Sequence, residues 1–212
     1  SVDGRSGLKF QWKRIADTNQ RIDPSLSNVI DIFVLTNNYD TLYRDWLAND
    51  RDENTEPLAP TTEELKTQFV NISHKKSVSD SIIYRSAKYK PLFGDTADTE
   101  LQAKFRVVKV RGTTLTDSEV QSRVADAVEE FFDIDNWDFG ETFYFTELAA
   151  YVHKELAGVL SSFVIVPQGA GSVFGDMFEF TPNSDELIIP DVNVNDIDII
   201  TNITDANIKA GS

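Results

Sequence analysis

Three carboxylates within six residues, Asp133, Asp135 and Asp138, form the densest cluster of potential ligands or acids in the chain. Oxygen donors at that density suit a hard cation such as Ca²⁺. An EF-hand loop, however, needs an oxygen ligand at its fifth position and glycine at its sixth, where this segment has Trp137 and Asp138. Paired carboxylates can also serve glycoside hydrolysis, but 35 acids always offer pairs and nothing selects one. Histidine chemistry has only His74 and His153 to draw on. His153 falls among the apolar positions of a helix, and His74 beside Lys75 and Lys76. No nucleophile-elbow, zinc-protease or P-loop string occurs. The stretch Gly169-Ala-Gly171-Ser-Val-Phe-Gly175 has its third glycine one position late for a dinucleotide loop, and a strand rather than a helix is expected after it. It reads as a turn. Asn71-Ile72-Ser73 and Asn202-Ile203-Thr204 match the glycosylation acceptor, but only a secretory context would give them weight. These residues assign no catalytic, cofactor-binding or metal site.

The elements that would position such residues fall into two strand–helix–helix–strand units and a β-rich end, a mixed α/β or α+β class. The first unit opens with Asn28–Thr36, a β-branched run, with 9–15 as an alternating edge partner and a turn at 23–25. Leu42, Tyr43, Trp46 and Leu47 follow at helical spacing within 39–48. Thr61 and Glu64 form a capping box for a helix whose stripe is Leu65, Phe69 and Ile72, and 81–87 closes the unit as a strand. The loop at 91–100 suggests a boundary, giving domains 1–95 and 96–212. In the second unit, Phe105 and Val107 have one parity and Val108 and Val110 the other, which predicts a β-bulge near Val107. Thr116 and Glu119 form a second capping box before Val120, Val124, Ala127, Val128 and Phe131. Thr146 is expected to cap a further helix carrying Leu148, Val152 and Leu156, stopped at Gly158 before a strand at 159–166. The remainder reads as strands and turns.

Composition narrows the function classes. The chain has 212 residues, 41% of them apolar, which is enough for a buried core. It has no cysteine, which removes disulfides, thiolate metal sites and cysteine nucleophiles together. The net charge of −15 opposes binding to nucleic acid or anionic lipid, and no apolar run approaches the ~20 residues of a membrane span. An opening without methionine or a leader-like segment suggests a piece of a longer protein. Charge is also segregated. Residues 66–90 hold six Lys/Arg and one acid, whereas 155–207 hold nine acids and no Lys or Arg. Such a chain can be self-complementary between copies, or both stretches can be solvated faces.

The span 105–167 carries a resemblance. Its strand FRVVKV is followed by TLTDSEVQSRVADAVEEFF and then IDNWDFGETFYFTELAAYVHKELAGVLSSFVIVP. The marks are Val120, Val124 and Val128, then Gly140-Glu141, then Thr146-Glu147-Leu148, then Gly158-Val159. This pattern resembles the C-terminal part of the baseplate-J-like family, wedge proteins of contractile-tailed bacteriophage baseplates. The closing IIPDVNVNDIDI suits the same family, and NVIDIFVLTNNYDTLYRDW extends the likeness more loosely. The resemblance implies a structural subunit in the virion tail, made in the host cytoplasm. It also implies a homodimer or higher ring assembly with other wedge subunits. No catalysis, cofactor, metal, nucleic acid, membrane or small-molecule substrate is implied. The competing expectations are a Ca²⁺- or glycan-binding module and a carboxylate-dependent α/β enzyme domain. Trp137, Phe139, Phe143 and Tyr144 lie within eight residues, and a loop this aromatic either tucks under its own domain or anchors a partner. The same two readings apply to Tyr39, Tyr43 and Trp46, where helical spacing favours the core. These seven are the candidate interface residues.

Overall fold

A computed structural model describes residues 29–49, 51–72, 81–168 and 178–201. The mixed α/β class holds, with two compact units, Ser1–Lys88 and Tyr89–Ser212. The boundary lies before the expected break at 95. The stretch 88–101 is not simply a loop: β3 (Lys88–Leu92) pairs with β8 (Glu186–Pro190), and Leu92, Phe93 and Leu101 are buried. The expected strand at 9–15, the turn at 23–25, His74 and the glycine loop at 169–175 lie outside the described residues.

In the first unit, β1 (Val29–Val34) and β2 (Ser81–Ser86) pair in parallel, with Ile32 opposite Tyr84. A parallel pair needs a crossover. Here the crossover contains α1 (Asn37–Asn49) and α2 (Thr62–Gln68). The Thr36 hydroxyl accepts the Tyr39 N–H at 3.3 Å, and Arg51, at φ +56°, turns the chain out of α1. The capping box at α2 is present, with the Thr61 N–H donating to Glu64 Oε2 at 2.7 Å and Glu64 N–H returning to the Thr61 hydroxyl. One face of the strand pair packs Ile32, Val34, Ile82 and Tyr84 against Leu65 and Phe69. Leu42, expected on the buried stripe of α1, is instead 49% exposed, because the buried set is Tyr39, Tyr43, Trp46 and Leu47.

The second unit is built on a three-stranded sheet in the order β6–β4–β9. The central β4 (Ala103–Lys109) runs antiparallel to β6 (Leu160–Pro167) and parallel to β9 (Ile197–Ile200). The register shift falls between Val108 and Lys109, one residue beyond the expected position. Phe105 and Val107 therefore keep the same parity and are both fully buried. Helices α3 (Asp117–Phe131) and α4 (Phe145–Glu155) pack side by side, α3 against β9 and α4 against β6. Val120, Val124, Ala127, Val128, Leu148 and Val152 form their buried stripes. Thr116 and Glu119 form the expected box, but Thr146 does not cap. Tyr144 occupies the N-cap position without a side-chain bond, so Thr146 is already inside the first turn. The reason lies in β5 (Phe143–Tyr144), whose pairing with β7 (Glu179–Phe180) holds the chain extended up to the helix start. Gly158 stops α4 at φ +80°, a conformation only glycine adopts without strain.

Candidate functional site

The acidic, aromatic connection between α3 and α4 contributes mainly to the core. Trp137, Phe139 and Phe143 are 5%, 3% and 0% exposed. Trp137 stacks on Phe132 at 5.2 Å and donates its indole N–H to the Phe131 carbonyl at 2.8 Å, so its one polar atom is satisfied. Phe143 meets Phe132 at 5.4 Å and Phe93 at 5.7 Å, and Phe93 continues the chain of rings to Phe105 at 4.9 Å. Gly140, at φ +68°, turns the connection, and its N–H donates to the Glu186 carbonyl at 2.9 Å. These three candidates are therefore core residues, not interface anchors. So are Tyr39, Tyr43 and Trp46, which are buried; Tyr43 contacts Tyr39 at 5.6 Å and Trp46 at 5.3 Å. Of the seven, Tyr144 alone is exposed.

Tyr144 faces outward because Phe143 faces inward: successive residues of a strand point to opposite sides. Its cross-strand partner is Glu179, which places the phenol ring and the carboxylate on one face. Phe145 and Phe178 border this pair. Their rings lie 6.4 Å apart, and the Phe145 N–H donates to the Phe178 carbonyl at 3.0 Å. Phe178 is exposed although it holds φ +51°, a conformation that costs a non-glycine residue about 1 kcal/mol or more. Glu147, in the first turn of α4, is exposed as well. The result is two exposed rings, Tyr144 and Phe178, whereas Phe145 is half-buried and stacks on the buried Phe163 at 5.5 Å. Tyr144 was readable as a candidate from its type. The contribution of Phe178 was not, because it depends on a pairing across a long sequence gap.

The acids Asp133, Asp135 and Asp138 are exposed and do not converge. Asp133 Oδ1 accepts the Asp135 N–H at 2.8 Å, and the Asp138 N–H donates to Glu141. Among the described residues no group of three ligating side chains is placed to hold a metal ion. An open polar cleft of about 440 Å³ lies along β9 and α3, lined by Arg106, Asp117, Gln121, Asp198, Ile199 and Ile200. Arg106 and Asp198 approach to 3.6 Å within it, and Gln121 donates to the Ile197 carbonyl at 2.7 Å. Its residues come from three elements, so no local sequence signal marks it. A buried carboxylate, Asp191, lies elsewhere in this unit, and its Oδ2 accepts both the N–H and the hydroxyl of Thr96, at 3.0 and 2.8 Å. Nearby Asp196 has its pKa raised by burial, with the Asp95 and Asp191 charges adding to the shift. No helix among the described residues is long and apolar enough to cross a membrane. No protein-family model matches the chain, and no curated protein matches it significantly.

Proposed function

We propose that this chain is a structural subunit of a contractile-tail baseplate wedge. It acts by assembling with its own copies and with other wedge subunits around the tail tube. The observation that carries the reading is the strand–helix–loop–helix–strand arrangement over 103–167. It has Gly140 at the loop turn and Gly158 ahead of the last strand, as expected of the baseplate-J-like pattern. Length and aromatic content look most like the C-terminal region of the large wedge protein of T-even phages, gene product six. The exposed rings of Tyr144 and Phe178 add apolar points at which such a subunit can associate.

The test is mass spectrometry of baseplates stripped from purified tailed particles of the virus that encodes the chain. Peptides of this chain in amounts comparable to those of the other wedge subunits support the proposal. Intact, infectious particles without the chain overturn it.

A further inference from the structure

We infer that Leu58, carried on the proline-framed strut 56–61 of the first unit, is a docking knob for another protein, one whose surface offers an apolar pocket rimmed by Lys or Arg. The inference goes beyond the assembly reading and stands whether or not the chain belongs to a baseplate. It starts from exposure. Leu58 is 90% exposed, whereas the next most exposed large apolar side chain among the described residues is Leu42 at 49%. A single exposed leucine is ordinary on a protein surface, and the strut that carries it is what sets this one apart.

Residues 56–61 form no helix, strand or turn. Glu56, at φ −55° and ψ 125°, and Thr61, at φ −71° and ψ 159°, bound a polyproline-like run. Within it Pro57 and Pro60 have fixed φ, and Ala59, preceding a proline, is kept extended. Such a run repeats every three residues, so Pro57 and Pro60 share one face and Leu58 lies on another. The two prolines are half-buried and the leucine is turned out. Both ends are tied. Upstream, the Trp46 indole N–H donates to the Asp52 carbonyl at 3.0 Å, and Asp52 Oδ1 accepts the Asn54 N–H at 2.9 Å. Downstream, the Ser86 hydroxyl donates to the Pro60 carbonyl, and Thr61 closes the capping box of α2. The leucine is held out before any partner arrives, which leaves little ordering cost for binding. The surroundings set the partner's charge. Residues 52–64 hold five acids, Asp52, Glu53, Glu56, Glu63 and Glu64, all exposed, and no base. Hydrogen bonds from Asn54 and Thr61 hold the Asp52 and Glu64 carboxyls below their ordinary pKa, so both stay charged in mild acid. An apolar centre within an acidic ring matches an apolar pocket within a basic one, and it repels nucleic acid and anionic lipid.

The test is photo-crosslinking in the cells where the encoding gene is naturally expressed. Benzoylphenylalanine replaces Glu56 in the full chain, two residues from an intact Leu58, and mass spectrometry locates the attachment point on any captured protein. Capture alone does not count. The expected result is a protein other than this chain, attached beside an apolar pocket rimmed by Lys or Arg. The yield should fall roughly tenfold or more for Leu58→Asp. Calorimetric titration of that purified protein with the full chain should show a comparable loss for Leu58→Ala. A smaller loss is expected for Pro57→Gly, which frees the strut without touching the knob. Leu58→Ala should leave the urea midpoint unchanged, because the side chain is exposed. The inference is overturned by the absence of a crosslink, by a crosslink to another copy of this chain, by a pocket without bases, or by a yield indifferent to Leu58→Asp.

Discussion

Replacing Gly94 by alanine tests whether the second unit depends on one close approach. Gly94 lies just after β3, against the buried Asp191 at the end of β8. A methyl group there would stand 2.5 Å from Asp191 Oδ2 and 2.6 Å from its Cγ, and closer still to its backbone carbonyl. The backbone can adopt this conformation with any residue, so the penalty is steric. The obstructing atoms include main chain, which no rotamer change can clear. Overpacking of this kind costs about 1–3 kcal/mol. Relief requires Asp191 to move away from Thr96, which loosens two hydrogen bonds to a buried carboxylate. Each such bond is worth about 1.5–3 kcal/mol. With partial relaxation, Gly94→Ala should destabilise the second unit by about 3–5 kcal/mol. Urea unfolding followed by fluorescence of buried Trp137, in a background where Trp12 and Trp46 are replaced by Phe, reads this unit. Thr96→Val removes only the hydroxyl bond and should cost about half as much. The double variant should fall short of the sum, because both changes act on the same carboxylate. A Gly94→Ala midpoint matching the wild type, or strict additivity with Thr96→Val, would refute the argument.

Other perturbations follow from the same geometry. Phe143→Ala empties the centre of the ring cluster and should cost about 3–5 kcal/mol by urea unfolding; a loss below ~1 kcal/mol would mean that the cluster is loosely packed. Thr116→Ala removes the α3 cap and should cost about 1 kcal/mol, whereas Thr146→Ala should change the midpoint by less than ~0.5 kcal/mol. Asp196 has a raised pKa in the folded chain, so its contribution to stability is full below the ordinary carboxylate value and is lost as pH rises through the raised one. Asp196→Asn should therefore raise the melting temperature at neutral pH and lose that advantage in acid; equal gains at both pH values would sink the assignment. The opposite holds for Glu64 and Glu119. Hydrogen bonds from Thr61 and Thr116 hold their pKa values down, so both caps should weaken as acid protonates them, visible as declining helical ellipticity.

Local chemistry was the legible part of the fold. Both capping boxes could be read because Thr-x-x-Glu satisfies its own backbone within four residues. The stripe of α3 could be read because burial on one side of a helix repeats in sequence. Non-local pairing escaped. The loop expected at 91–100 overlaps the end of β3, since nothing in Lys88–Leu92 announces a partner nearly a hundred residues downstream in β8. Thr146 looked like a cap because the short pairing of Phe143 and Tyr144 with β7 cannot be seen from either strand alone. The same limit governed the candidate site. Aromatic type marked Trp137, Phe139, Phe143 and Tyr144 equally, and only strand alternation and the Phe93 ring cluster separate the three buried residues from the exposed one.

The central position of β4 also sets an order of events during synthesis. Its antiparallel neighbour β6 follows after two helices, but its parallel neighbour β9 is the last strand described, with Ile197 set opposite Phe105. Until the ribosome has released that strand, one side of β4 presents unpaired N–H and C=O groups beside Phe105 and Val107. Exposed edges of that kind template pairing with other chains. Nascent or truncated chains that lack β9 should therefore be the aggregation-prone species, and recovery from denaturant should fall as protein concentration rises.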